Sequence, residues 1–157
     1  MDRQQASTST GSAREAMGAH VRRPGAGEAV VIVDVEQFAA IRAAHGAEAG
    51  EQVTRAVSDC LRRHLRAGDR LALLREDEFL AVLPGASDRT LPEIIARLRE
   101  GIEGLRLALA GRVWSLSCTI GAAAAPTSRP CGLESLVRVA DTELHRARRA
   151  AFGRLAG

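Results

Sequence analysis

A chain of 157 residues with 46% hydrophobic and 26% charged side chains has the composition of one globular domain, able to bury roughly two thirds of the surface its unfolded form exposes. No apolar stretch approaches the ~20 residues of a membrane span, and a net charge of +3 from scattered cations gives no basic face for nucleic acid. All 22 basic residues are arginine, so any phosphate has to be gripped by guanidinium forks and not by a lysine point charge.

Residues 1–27 include Ser7, Thr8, Ser9, Thr10, Gly11 and Ser12 and lack the apolar centre of a signal peptide. They are expected to form a flexible tail, with 28–157 as the folded domain. The β-branched run at 29–33 predicts a strand buried on both faces, ending at Asp34. Residues 36–45, with Phe38 and Ile41, suit a short helix that Gly46 ends. Val53, Val57, Leu61 and Leu65, with Cys60 alongside, predict a helix over about 47–67 closed by Gly68.

Two apolar runs, 71–74 and 79–83, flank the charged stretch 75–78 and predict a hairpin, which Pro84-Gly85 brings to an end. Ile94, Ile95, Leu98 and Ile102 line one face of a helix over 91–103, with Pro92 tolerated in its first turn. A β segment over 105–109 and 113–122, bent around Gly111, precedes a last amphipathic helix over 132–150. The order β-α-α-β-β-α-β-β-α predicts an α/β (α+β) fold of ferredoxin-like type, its central sheet mostly antiparallel and its helices on one face.

Cys60, Cys118 and Cys131 are odd in number and widely spaced. They predict neither a disulfide framework nor a zinc site, but small buried hydrophobes in a reducing cytoplasm. His20, His45, His64 and His145 fall at unrelated spacings and form no ligand set. Asp34 ends the first strand and Asp77-Glu78 sits at the hairpin tip. If the strands are neighbours, these carboxylates converge in a way that can hold a hard cation such as Mg²⁺; otherwise they belong to an ordinary solvated turn.

Several short motifs stand in register with those of one family. The stretch 33–38 (Val-Asp-Val-Glu-Gln-Phe) resembles D-x-D-x-F, Gly46 and Gly50 match the glycines of G-H-x-x-G-D, and Asp77-Glu78-Phe79 matches D-E-F. Ser117-Cys118-Thr119-Ile120-Gly121 is similar to the S-I-G strand, and Ala140-Asp141, Leu144 and Ala147 match a helix of the form A-D-x-A-L-Y-x-A-K. Together they resemble the GGDEF domain of diguanylate cyclases, over about residues 29–154, and imply its nucleotide-cyclase palm-like fold.

Members of that family condense two GTP molecules into cyclic di-GMP, so the resemblance would make Asp34 and Asp77 metal ligands and Glu78 an active-site acid. The departures gather where GTP would sit. Arg75-Glu76 replaces the Gly-Gly of the signature, which gives room for the turn and for nucleotide. Arg42 stands where an asparagine reads guanine, Glu51 replaces the aspartate of G-D, and Ala39 replaces the lysine after D-x-D-x-F. The lysine of the last helix is Arg148, and the G-R-N beyond it is replaced by Ala151-Phe152-Gly153. Asp34, Asp77 and Glu78 are therefore expected to be relics, with no catalytic role, no resident metal and no required cofactor. Mg²⁺ would enter only with residual GTP binding.

Many family members also carry an inhibitory R-x-x-D site that binds the product, completed by an arginine from the helix after the signature. Arg66-Ala67-Gly68-Asp69 and Arg97 stand at those positions. The expectation is an inactive GGDEF-type domain that receives cyclic di-GMP through Arg66, Asp69 and Arg97. It would signal by contact with a protein partner, and the ligand is able to link two copies. The alternative is an interaction or dimerisation module that needs no nucleotide; residual cyclase activity or GTP binding stands third.

Overall fold

The run predicted to be buried on both sides forms β1 (Glu28–Val35), and all eight of its residues are buried. The computed structural model describes residues 27–126, 128–129 and 131–155, the side chains of 152–155 excepted. The expected tail lies outside the described residues but for Gly27, whose carbonyl accepts from Gly85 N–H at 2.6 Å.

Helix α1 (Phe38–His64) follows and is interrupted at Gly46, where φ is 85° and ψ is −178°. Only glycine enters that region without strain, so the predicted end of one helix and start of another is a joint inside a single element. The second part stops at His64, short of the expected 67, because Leu65 is extended and the four residues after it close a turn of their own. Asp69 N–H donates to Arg66 C=O at 3.0 Å, while Arg66 N–H donates to Asp69 Oδ2 at 2.8 Å.

The predicted hairpin is β2 (Arg70–Arg75) and β3 (Glu78–Pro84), closed by Glu76 and Asp77, with a register shift between Leu73 and Arg75. Helix α2 (Leu91–Glu103) buries Leu91, Ile94, Leu98 and Ile102. The segment expected to run unbroken over 113–122 is instead divided. β4 (Arg106–Leu109) and β5 (Arg112–Ser115) form a two-stranded sheet of their own, turning through Ala110 and Gly111 at φ 48° and 78°. β6 (Cys118–Ala124) belongs to the main sheet. Ser117 makes the break, because its N–H donates to Gln37 Oε1 at 2.7 Å and its carbonyl accepts from Glu36 N–H at 3.1 Å. Trp114 docks this second hairpin on α1 through an edge-on contact with His45, ring centroids 5.4 Å apart, and Arg112 lies 5.9 Å above the indole.

The main sheet has the order β2-β3-β1-β6 with every neighbouring pair antiparallel, and α3 (Leu133–Leu155) closes the domain. The fold is thus of mixed α/β type, as the sequence implies, but the helices are not all on one face. Val31, Val33 and Val35 pack with residues of α1 and α2, whereas Val30 and Ile32 pack with Leu136, Val137, Ala140 and Leu144 of α3. A strand apolar at every position needs cover on both sides, and α3 supplies the second. It comes so close that a side chain at Gly121 would overlap the carbonyl of Ala140 and the amide of Leu144. No helix among the described residues is long and apolar enough to cross a membrane.

Candidate functional site

The two groups of residues singled out in the sequence lie at opposite ends of the sheet. β1 ends at Asp34 and Val35 where β3 begins, whereas Arg66 and Asp69 precede β2 at the other end. Six residues of strand separate the ends, on the order of 20 Å.

At the first end, Asp34 and Glu78 are directly opposite each other across β1 and β3, and Val35 N–H donates to Asp77 C=O at 3.0 Å. The carboxylates predicted to converge do so. Burial pushes the Asp34 carboxyl above its ordinary range, against the pull of the Arg148 guanidinium that pairs with it. Burial likewise raises Glu78; the Arg75 charge opposes the shift, and Asp34 and Asp141 add to it. Glu36 moves the other way, because its carboxylate accepts hydroxyl hydrogen bonds from Thr119 and Ser117. With Gln37 Nε2 donating to Ser117 Oγ at 2.6 Å, these bonds fasten the loop after β1 to the start of β6.

The turn of the hairpin is tied to α1. Arg42 pairs with Glu76, and Thr54 Oγ1 donates to Glu76 C=O at 2.6 Å. Sequence reading marked Arg42 and Glu76 as separate departures and missed that they compensate each other; their opposite charges were the available signal. It missed the pairing of Arg148 with Asp34 as well. Cys60 and Cys118 are buried as expected, with thiols pushed up by burial, Cys118 to about 12; Cys131 is half-buried.

A Mg²⁺ ion takes one or two protein carboxylates and completes its octahedron with water and substrate phosphate. Among the described residues no three His, Cys, Asp or Glu side chains are grouped to hold an ion, and Asp34 is engaged by a guanidinium. Asp34 and Glu78, opposite each other across β1 and β3, are the two carboxylates that would hold such an ion.

At the second end, Asp69 is fixed by Arg66 N–H, and Arg66 itself is exposed. β1 and β2 point one way and β3 and β6 the other, so α1 and α2 run antiparallel. Gly101 of α2 receives the His64 ring from the last turn of α1, with a Cβ there only 2.6 Å from the ring. Arg97, one turn nearer the start of α2, therefore lies beyond the end of α1, on the side of Arg66. Its Nε is buried and has no hydrogen-bond partner among the described residues.

The family description "Diguanylate cyclase, GGDEF domain" matches residues 10–154. The chain belongs to the GGDEF family. DosC of Escherichia coli K12, named a diguanylate cyclase, is 33% identical over 138 residues, which make up 87% of this chain and 30% of DosC. This GGDEF domain thus spans less than a third of that relative's length. An EAL/GGDEF domain protein of M. capsulatus superposes with a TM-score of 0.76 at 27% identity, over 96% of this chain and 94% of that one. The GGDEF domain of DgcB from Caulobacter crescentus, solved in complex with c-di-GMP, shares the fold with a TM-score of 0.73 at 18% identity, over 80% and 74% of the two chains.

Proposed function

We propose that this GGDEF domain does not make cyclic di-GMP but receives it in the cytoplasm, through Arg66, Asp69 and Arg97, and signals by contact with a protein partner. The observation that carries this reading is the contrast between the two ends of the sheet. At one end, Arg42 and Arg148 are engaged by the chain's own Glu76 and Asp34. At the other, the buried Nε of Arg97 has no acceptor, which costs about 1–3 kcal/mol until one arrives.

A cyclic dinucleotide offers the missing acceptors. Guanidinium forks pair with phosphate oxygens and with the O6/N7 edge of guanine, and they stack on purine faces. The Asp69 carboxylate, already oriented by Arg66 N–H, has further lone pairs for guanine N1–H and N2–H. Micromolar affinity corresponds to about 8 kcal/mol, within reach of a few charge-assisted bonds plus stacking.

The loss of synthesis is supported at the hairpin. The position that makes room for nucleotide in the family carries Glu76, whose negative charge works against a triphosphate, and whose partner Arg42 replaces the guanine-reading residue.

Isothermal titration with cyclic di-GMP tests the receptor role. Binding is expected, and Arg66→Ala should weaken it by about 2 kcal/mol, roughly thirtyfold. No heat at high ligand concentration would overturn the reading. Incubation with GTP and Mg²⁺ tests the other half: cyclic di-GMP formed by the wild type and abolished by Asp77→Ala would restore the cyclase assignment.

A further inference from the structure

An edge strand leaves a row of backbone N–H and C=O groups without a neighbouring strand, and another extended chain can pair with them. The main sheet has two such edges, β2 and β6. β6 has no exposed residue, whereas β2 exposes Arg70, Leu73 and Arg75. One exposed leucine is ordinary on a protein surface. Leu73, however, is 47% exposed on an edge strand and stands between two cations.

The charges decide what can pair there. Among the described residues neither Arg70 nor Arg75 is held in an ion pair, and Glu76, the acid next to Arg75, is taken by Arg42. Arg75 feels only the longer-range field of Glu78. An antiparallel pairing of β2 with a second copy of itself brings Arg70 near Arg75 of that copy, twice over, and like charges across a pair of strands are destabilising. The register shift between Leu73 and Arg75 spoils a self-matched edge further. An acidic strand meets neither obstacle.

We infer that the β2 edge docks an extended acidic segment of a protein partner. Its main chain adds as a strand beside β2, an apolar side chain packs on Leu73, and carboxylates two or three residues to either side meet Arg70 and Arg75. Main-chain bonds supply the attachment and the flanking charges select the sequence. The edge begins next to Asp69, but the inference stands whether or not Arg66 and Arg97 take cyclic di-GMP, because its test contains no nucleotide.

The test is fluorescence anisotropy of the full chain with a labelled peptide of alternating valine and threonine, ended by glutamates. This peptide should bind roughly tenfold or more tightly than the same peptide ended by lysines. Strand addition uses only every other N–H of the added chain. Of two peptides methylated on alternate backbone nitrogens, one should therefore lose binding and the other keep it. Arg70→Glu combined with Arg75→Glu should turn the preference towards lysine; if that variant does not fold, the peptides on the wild type decide. No preference between glutamate and lysine ends, or two methylated peptides that behave alike, would overturn the inference. So would a wild-type dimer in light scattering that Leu73→Glu separates, since a second copy would then hold the edge.

Discussion

Glu78 carries a pH signature of its own. Burial raises its carboxyl, so the folded chain binds that proton more readily than the unfolded chain does. The contribution to stability is present in full at low pH and is lost as pH rises from the ordinary 4.5 through the folded value. Glu78→Gln keeps the shape and removes the titration. Its melting temperature should gain on that of the wild type between pH 5 and pH 8; parallel curves would mean that Arg75 and Arg148 already neutralise the acid. Asp34, Asp77 and Glu78 were legible in the sequence as a convergent group because a strand end and a hairpin tip can be read locally. Their partners were not. Arg42 lies 34 residues from Glu76, and Arg148 is more than a hundred from Asp34, so only the packing of α1 and α3 reveals which charges meet.

The two glycines at 46 and 121 separate two kinds of constraint on the elements. At Gly46 a side chain would meet nothing within 4 Å, but the backbone is in a region other residues enter at a cost of about 1–3 kcal/mol. At Gly121 the φ angle is unremarkable and the space is missing, because the backbone of α3 lies there. Urea denaturation should therefore show Gly46→Ala losing about 1–3 kcal/mol by strain, and Gly121→Ala losing about 3 kcal/mol or more by overlap. The order of losses would reverse if α3 could shift away from β6. Most elements were readable from hydrophobic period and turn residues. The division of β5 from β6 was not, since Ser117 is redirected by Gln37 and Glu36, which lie about 80 residues earlier. The second covered face of the sheet was implicit in the unbroken apolar run of β1, which a one-sided arrangement leaves half exposed.

At the scale of the molecule the sheet holds two charged ends apart. Sites separated by on the order of 20 Å with no shared partner should be energetically independent. Arg66→Ala and Arg148→Ala should therefore add in their effects on unfolding free energy to within about 0.5 kcal/mol. A larger coupling would show that β2, which joins the ends, transmits strain along its length. Ligand at a hundred times its dissociation constant should raise the stability of the wild type by about 2.7 kcal/mol, and the same concentration should raise Arg66→Ala by only about 0.9 kcal/mol while the full gain survives in Arg148→Ala.

The chain has a single tryptophan, and the fold places it where the second hairpin meets the first half of α1, against His45 and one residue before the Gly46 joint is reached. Trp114 is consequently an internal optical gauge. Its emission registers the seating of that hairpin with no label attached, and a change on adding nucleotide would report that an event at Arg66, beyond the last turn of α1, had reached the helix's first half.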